Sequence, residues 1–178
     1  MKTFKLLLCA AALACSWTLQ AGVSLNANGW TQITPSSDSR IVYVSNAGND
    51  ANNGLSASTP KATIAAANSL IRDGYPDHLL LRRGDTFSVG GGTALGRWKN
   101  GRSATEPMLL SYYGSSGARP IVKVVEKMLD HDGHTRNHLA FIGVDFYKSN
   151  SDPASPDFNG SSGVEGFSVG GWWCEYPV

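Results

Sequence analysis

Three apolar clusters recur along this chain at a step of thirty residues. His78-Leu79-Leu80-Leu81-Arg82, Met108-Leu109-Leu110-Ser111-Tyr112 and His138-Leu139-Ala140-Phe141-Ile142 start at 78, 108 and 138, and a weaker cluster, Gly166-Phe167-Ser168-Val169, starts at 166. An internal period of this size marks a stacked architecture, in which no unit can cover its own apolar edge and each must lie against the next. Stacked parallel strands sit about 4.8 Å apart. The cluster register puts Leu79, Leu109 and Leu139 in one inward column and Leu81, Ser111 and Phe141 in a second. A further strand candidate lies inside each unit: Ile121 to Val125 after Arg119-Pro120, and Val144 to Tyr147 after Gly143.

Composition limits what such a stack can do. The chain has 178 residues, enough for one domain with a real core. Only 16% of residues are charged and the net charge is +1, which argues against a nucleic-acid binder, since that needs a clustered basic face. With 20 Gly and 42% hydrophobic residues, the balance suits a turn-dense, β-rich extracellular protein, expected to be a monomer. Residues 1–21 read as a secretory signal: Lys2 and Lys5, an apolar run from Leu6 to Ala14, then Leu19-Gln20-Ala21 as a small-residue cleavage site. No apolar run is long enough to span a bilayer. A lipoprotein reading at Cys15 is weakened by Ala12, where Leu is expected. Cleavage after Ala21 leaves Cys174 alone, so the secreted or periplasmic product holds together by packing.

Residues 22–39 read as an exposed lead-in, with the folded domain spanning 40–178. Ile41 to Val44 is β-branched and aromatic, which suits a half-buried strand. Ser45 to Gly54 is too polar for either regular element. Thr59 as N-cap, Pro60 at the first helical position and an apolar stripe of Ile64, Ala67, Leu70 and Ile71 predict a helix over Pro60–Asp73, ended by Gly74. Its expected task is to cover the open end of the first coil. At the other end, Trp172-Trp173-Cys174-Glu175-Tyr176-Pro177-Val178 supplies no polar cap, which favours the N-terminal part of a longer protein over a fold closed by its tryptophans.

The order Tyr43-Val44-Ser45, Gly48-Asn49-Asp50, Asn53-Gly54, Thr59-Pro60, Thr63-Ile64, Ala67 and Gly84-Asp85-Thr86-Phe87 resembles the opening of secreted right-handed parallel β-helix proteins of the pectate-lyase-like superfamily. The segments Gly101–Ile121 and His138–Phe146 extend that resemblance to about Tyr147. It implies an all-β, right-handed parallel β-helix with an N-terminal capping helix. It also implies an exported protein acting on extracellular or cell-wall polysaccharide, most plausibly by β-elimination of a uronate-containing glycan. A non-catalytic carbohydrate-binding or adhesion protein is the alternative. The lyase chemistry needs a uronate carboxylate neutralised by Ca²⁺ or a cationic side chain, and a base to take the C5 proton. The resemblance makes Ca²⁺ a possible cofactor, and it leaves open that the catalytic set lies beyond Val178.

Several residues are candidates for that chemistry, each beside a plainer account. Asp130-His131-Asp132-Gly133-His134 offers Asp130, Asp132 and His134 as metal ligands and His131 or His134 as acid or base, yet falls where a polar turn is due. Asn49 to Gly54 lacks the ligand spacing of a calcium-binding helix-loop-helix and reads as a turn. Asp145 and Lys148 could pair a carboxylate with a base at a strand end, or be solvated charges. Arg82 and Arg83 could hold a uronate or pair locally with Asp85. Tyr112, Tyr113, Trp98, Trp172 and Trp173 could stack on sugar rings or fill the core.

Overall fold

In the computed structural model, which describes residues 22–88, 95–124 and 135–160, the protein is almost entirely β. Nine strands form three sheets: β1 (Gly22–Leu25), β2 (Thr31–Thr34), β3 (Ile41–Val44), β4 (His78–Arg82), β5 (Thr86–Ser88), β6 (Met108–Tyr113), β7 (Ile121–Lys123), β8 (Leu139–Phe141) and β9 (Asp145–Tyr147). One parallel sheet runs β3-β4-β6-β8 and a second runs β5-β7-β9, each adding strands in chain order. β4, β6 and β8 are each followed, through a corner, by a strand of the second sheet, so from β4 onward the chain alternates between the two parallel sheets. The corners are knitted in the same direction, with Gly84 N–H donating to Ala118 O, Ile121 to Asp85 O and Asp145 to Pro120 O.

The inward columns are displaced from those the cluster spacing predicts. Val42, Leu79, Leu110 and Phe141 lie in register across the four-stranded sheet, and Val44, Leu81 and Tyr112 form the neighbouring column. Leu109 instead faces His78 and Ala140, and Leu139 faces Met108. Ser111 pairs with Leu80 instead of Leu81. The step is thus 31 residues, from 79 to 110 and from 110 to 141, and one residue is enough to reverse the side-chain face. Met108, Leu109 and Leu110 are all buried, so alternation carries no parity in that strand. In the second sheet Phe87, Val122 and Phe146 share a column. Together with Trp98, Leu95 and Val124 these side chains make one continuous core.

The predicted capping helix does not form over Pro60–Asp73. A five-residue α1 (Ile64–Asn68) stands in its place, capped by Thr63, whose side chain accepts from Ala66 N. Pro60 and Lys61 are taken up elsewhere: Lys61 N donates to Tyr43 O and Lys61 O accepts from Ser45 N, a bridge along the outer edge of β3. Tyr43 N donates to Gly54 O on the same edge. The loop therefore blunts the exposed edge of the first strand, the task assigned to the helix. Gly48 permits this, because a Cβ there would lie 2.5 Å from Lys61 O. Asp50 ties the loop to α1 by accepting from Ala62 N, Thr63 N and Thr63 Oγ1. Desolvation opposes ionisation of Asp50, but the bonds from Thr63 and Ala62 outweigh it and lower its pKa.

Two features organise the entry to the parallel sheets. Residues expected as an exposed lead-in contain the antiparallel hairpin β1–β2. Its turn is built by Asn26, whose side chain accepts from Asn28 N and Trp30 N. Beyond it, Asp77 is fully buried and binds the coil entry together: its carboxylate accepts from Arg40 N, Arg72 N and the Arg72 guanidinium, the closest contact being 2.6 Å. No helix among the described residues is long and apolar enough to cross a membrane.

Candidate functional site

Strand alternation sends Val42, Val44, Leu79 and Leu81 into the core and turns Tyr43, Leu80, Ser111, Arg82 and Tyr113 to the outer face of the four-stranded sheet. Tyr43, Leu80 and Ser111 form one cross-strand row, and Arg82 is the direct neighbour of Tyr113. The Tyr43 and Tyr113 rings meet edge to face, 5.1 Å between centroids at 89°, an arrangement in which the positive edge of one ring meets the negative face of the other. Burial pushes the Tyr113 phenol above its ordinary pKa, with the Arg82 charge working against that shift, so it stays protonated. Arg82 is exposed, and among the described residues it has no ion-pair partner.

The carboxylate nearest in sequence to Arg82 is engaged elsewhere. Asp85 accepts from Ser45 Oγ and Asn46 N, each at 2.9 Å, while Asn46 Nδ2 donates to Thr86 O. The expected local pairing of Arg82 or Arg83 with Asp85 is therefore replaced by a link between the first coil and the next. The result is a face with two phenol rings and a guanidinium that has no ion-pair partner among the described residues, with the Asp85 carboxylate near enough to help raise the Tyr113 pKa but held by Ser45 and Asn46. Such a face can stack on the apolar side of a pyranose and pair with a carboxylate on it. The carboxylate at its margin is taken up by Ser45 and Asn46.

The other predicted residues are dispersed. Trp98 is 0% exposed and packs against Phe141 at 6.2 Å, so it presents no surface to a sugar. Tyr112 is 36% exposed but lies on the opposite side of the sheet from Arg82, with the Arg83 guanidinium 4.6 Å over its ring. Arg82, Tyr112 and Trp98 are thus not one site. Asp145 begins β9 and faces Arg119 at 3.7 Å, with both side chains more than half exposed. Lys148 precedes the 3-10 turn Ser149–Ser151. That segment is tied back by Lys123 to Asp157 at 2.8 Å and by Tyr147 Oη to Asp152 at 2.6 Å. Asp130, His131, Asp132, His134, Trp172 and Trp173 lie outside the described residues. Among the described residues no three His, Cys, Asp or Glu side chains converge as metal ligands.

Tyr43 is the aromatic member of the face that sequence reasoning passed over. Tyr43 was legible as an alternating residue between Val42 and Val44, but its contact with Tyr113 comes from strands seventy residues apart.

No protein-family model and no curated protein sequence matches this chain. Among solved structures it is similar to a GH136 lacto-N-biosidase from Eubacterium ramulus, with 27% identity over 49% of this chain and 13% of that one and a TM-score of 0.38. A second structure of that protein gives 29% identity, 46% and 12% coverage and a TM-score of 0.35. A rhamnogalacturonan lyase is 20% identical over 60% of this chain and 28% of its own length, with a TM-score of 0.44. The chain thus spans well under a third of each of these proteins.

Proposed function

We propose that this chain forms coils of a right-handed parallel β-helix, is exported, and engages an acidic polysaccharide along the outer face of its four-stranded sheet. The observation that carries this reading is the Tyr43–Tyr113 pair with Arg82 beside it, which has no ion-pair partner among the described residues, on strands that stack in parallel and in chain order. Arg82 would pair with a uronate carboxylate while the phenol rings take the sugar faces. The likeness of Arg40 to Tyr147 to secreted β-helix proteins supports the same ligand class, and the reaction that fits it is β-elimination.

Binding and turnover can be separated. Mature protein run in native gels containing polygalacturonate or alginate is expected to be retarded, and Arg82→Ala to lose about tenfold in affinity, the scale of one charge-assisted hydrogen bond of ~1.5 kcal/mol. Equal retardation of the two proteins, or none for the wild type, removes the reading. Incubation with the same polymers, with and without Ca²⁺, tests the lyase step through the absorbance of unsaturated product.

A further inference from the structure

We propose that the β1–β2 hairpin is a self-association surface, through which two copies of this chain pair edge to edge along β1. The hairpin is unusual in what it exposes. Val23 is 46% exposed, Leu25 69% and Trp30 68%, in a segment that forms its own two-stranded sheet, separate from the two parallel ones. A two-stranded sheet with its apolar side chains in water is marginal by itself. The register puts Val23 and Leu25 together on one face of β1 and Trp30 on the other face of the hairpin, so the two aliphatic side chains flank a single edge.

The backbone supplies direction. Asn26 N donates to Trp30 O at 2.9 Å, so Asn26, Ser24 and Gly22 turn their peptide groups toward β2. In an antiparallel ladder the alternate residues, Val23 and Leu25, then point their N–H and C=O groups outward. Among the described residues nothing accepts or donates to that outer edge. Proteins protect such edges with Lys, Pro or inward-pointing charges. Residues 22–34 contain no Asp, Glu, Lys, Arg or Pro.

A second copy fits these features. Two β1 edges brought together antiparallel on a two-fold axis at Ser24 set Val23 opposite the partner's Leu25 and Leu25 opposite the partner's Val23. Each pair exchanges N–H···O=C bonds, and the side chains of each pair fall on the same face, which is the self-complementarity an isologous interface requires. No side chain of residues 22–34 is charged, so the two identical segments meet without side-chain repulsion. This surface is separate from the Arg82 face, so neither reading depends on the other.

The test is sedimentation of the mature chain across a concentration series, with two variants. Val23→Pro removes an outward N–H that the β1–β2 ladder does not use, and Leu25→Lys places a charge on the edge. The wild type is expected to pass from monomer to dimer with rising concentration. Both variants are expected to stay monomeric, with circular dichroism and urea unfolding unchanged. A wild type that is monomeric at high micromolar concentration overturns the proposal, as does dimerisation of both variants at the wild-type concentration. Retention of a monomeric wild type on a neutral polysaccharide, lost in Trp30→Ala, also overturns it by assigning the hairpin to glycan.

Discussion

His78 and Asp77 sit side by side at the start of β4 and are both buried, one without a hydrogen-bond partner at its Nε2 among the described residues and one with several. Desolvation lowers the His78 pKa below the ordinary 6.5, against a weaker opposing effect of the Asp77 charge. The folded state thus binds its proton less readily than the unfolded chain does. Its contribution is fully present above about pH 6.5 and is lost as pH falls from there through the folded-state pKa. Thermal unfolding measured between pH 7.5 and 5 should show the midpoint falling, and His78→Leu should flatten that slope. Asp77 accepts from four backbone and side-chain donors at once, so Asp77→Ala leaves Arg72 facing a buried gap. The expected loss is ~3 kcal/mol, read as a lower urea midpoint at unchanged m-value.

Among the elements, the corners do as much as the strands to hold the stack. Gly143 joins β8 to β9 with φ +69, and a Cβ there would stand 2.3 Å from the Tyr112 ring. Gly143→Ala meets both backbone strain and a ring held under the Arg83 guanidinium. It is expected to cost about 2–3 kcal/mol in urea unfolding. The loop from Ser45 to Thr63 shows how an irregular segment can do a regular element's work, since its bonds to Tyr43 and Ser45 cover the edge of β3 while α1 stays a single short helix.

For the whole molecule, stacking predicts an ordered pattern of protection. β4 and β6 have hydrogen-bonded neighbours on both sides, whereas among the described residues β1 and β2 have only each other. Amide exchange should therefore be slowest in β4 and β6 and fastest in the hairpin. If β1 and β2 exchange as slowly as β4 in dilute protein, the hairpin is not the loosely held element its exposure implies. Leu79→Ala, in the middle of the longest column, is expected to lower stability by about 2–4 kcal/mol.

The amino-acid order by itself settled that this chain is β-rich and repeats near thirty residues, because short β-branched and apolar clusters separated by Gly, Asn and Pro can do little else. It also marked Tyr43 and Arg82 as strand residues and Gly48 and Gly84 as turns. Which leucine faces inward was decided only in three dimensions, since Met108, Leu109 and Leu110 are equally apolar and a one-residue shift leaves a cluster's composition unchanged. The helix was lost for a related reason: Thr59-Pro60 is a good local start, but the bonds of Lys61 to Tyr43 and Ser45 cover an exposed strand edge and so outweigh a local propensity. The outer face formed by Tyr43, Arg82 and Tyr113 likewise had no local signature. It exists because three strands distant in the chain stack in one register, and stacking is a property of the coil, not of any segment within it.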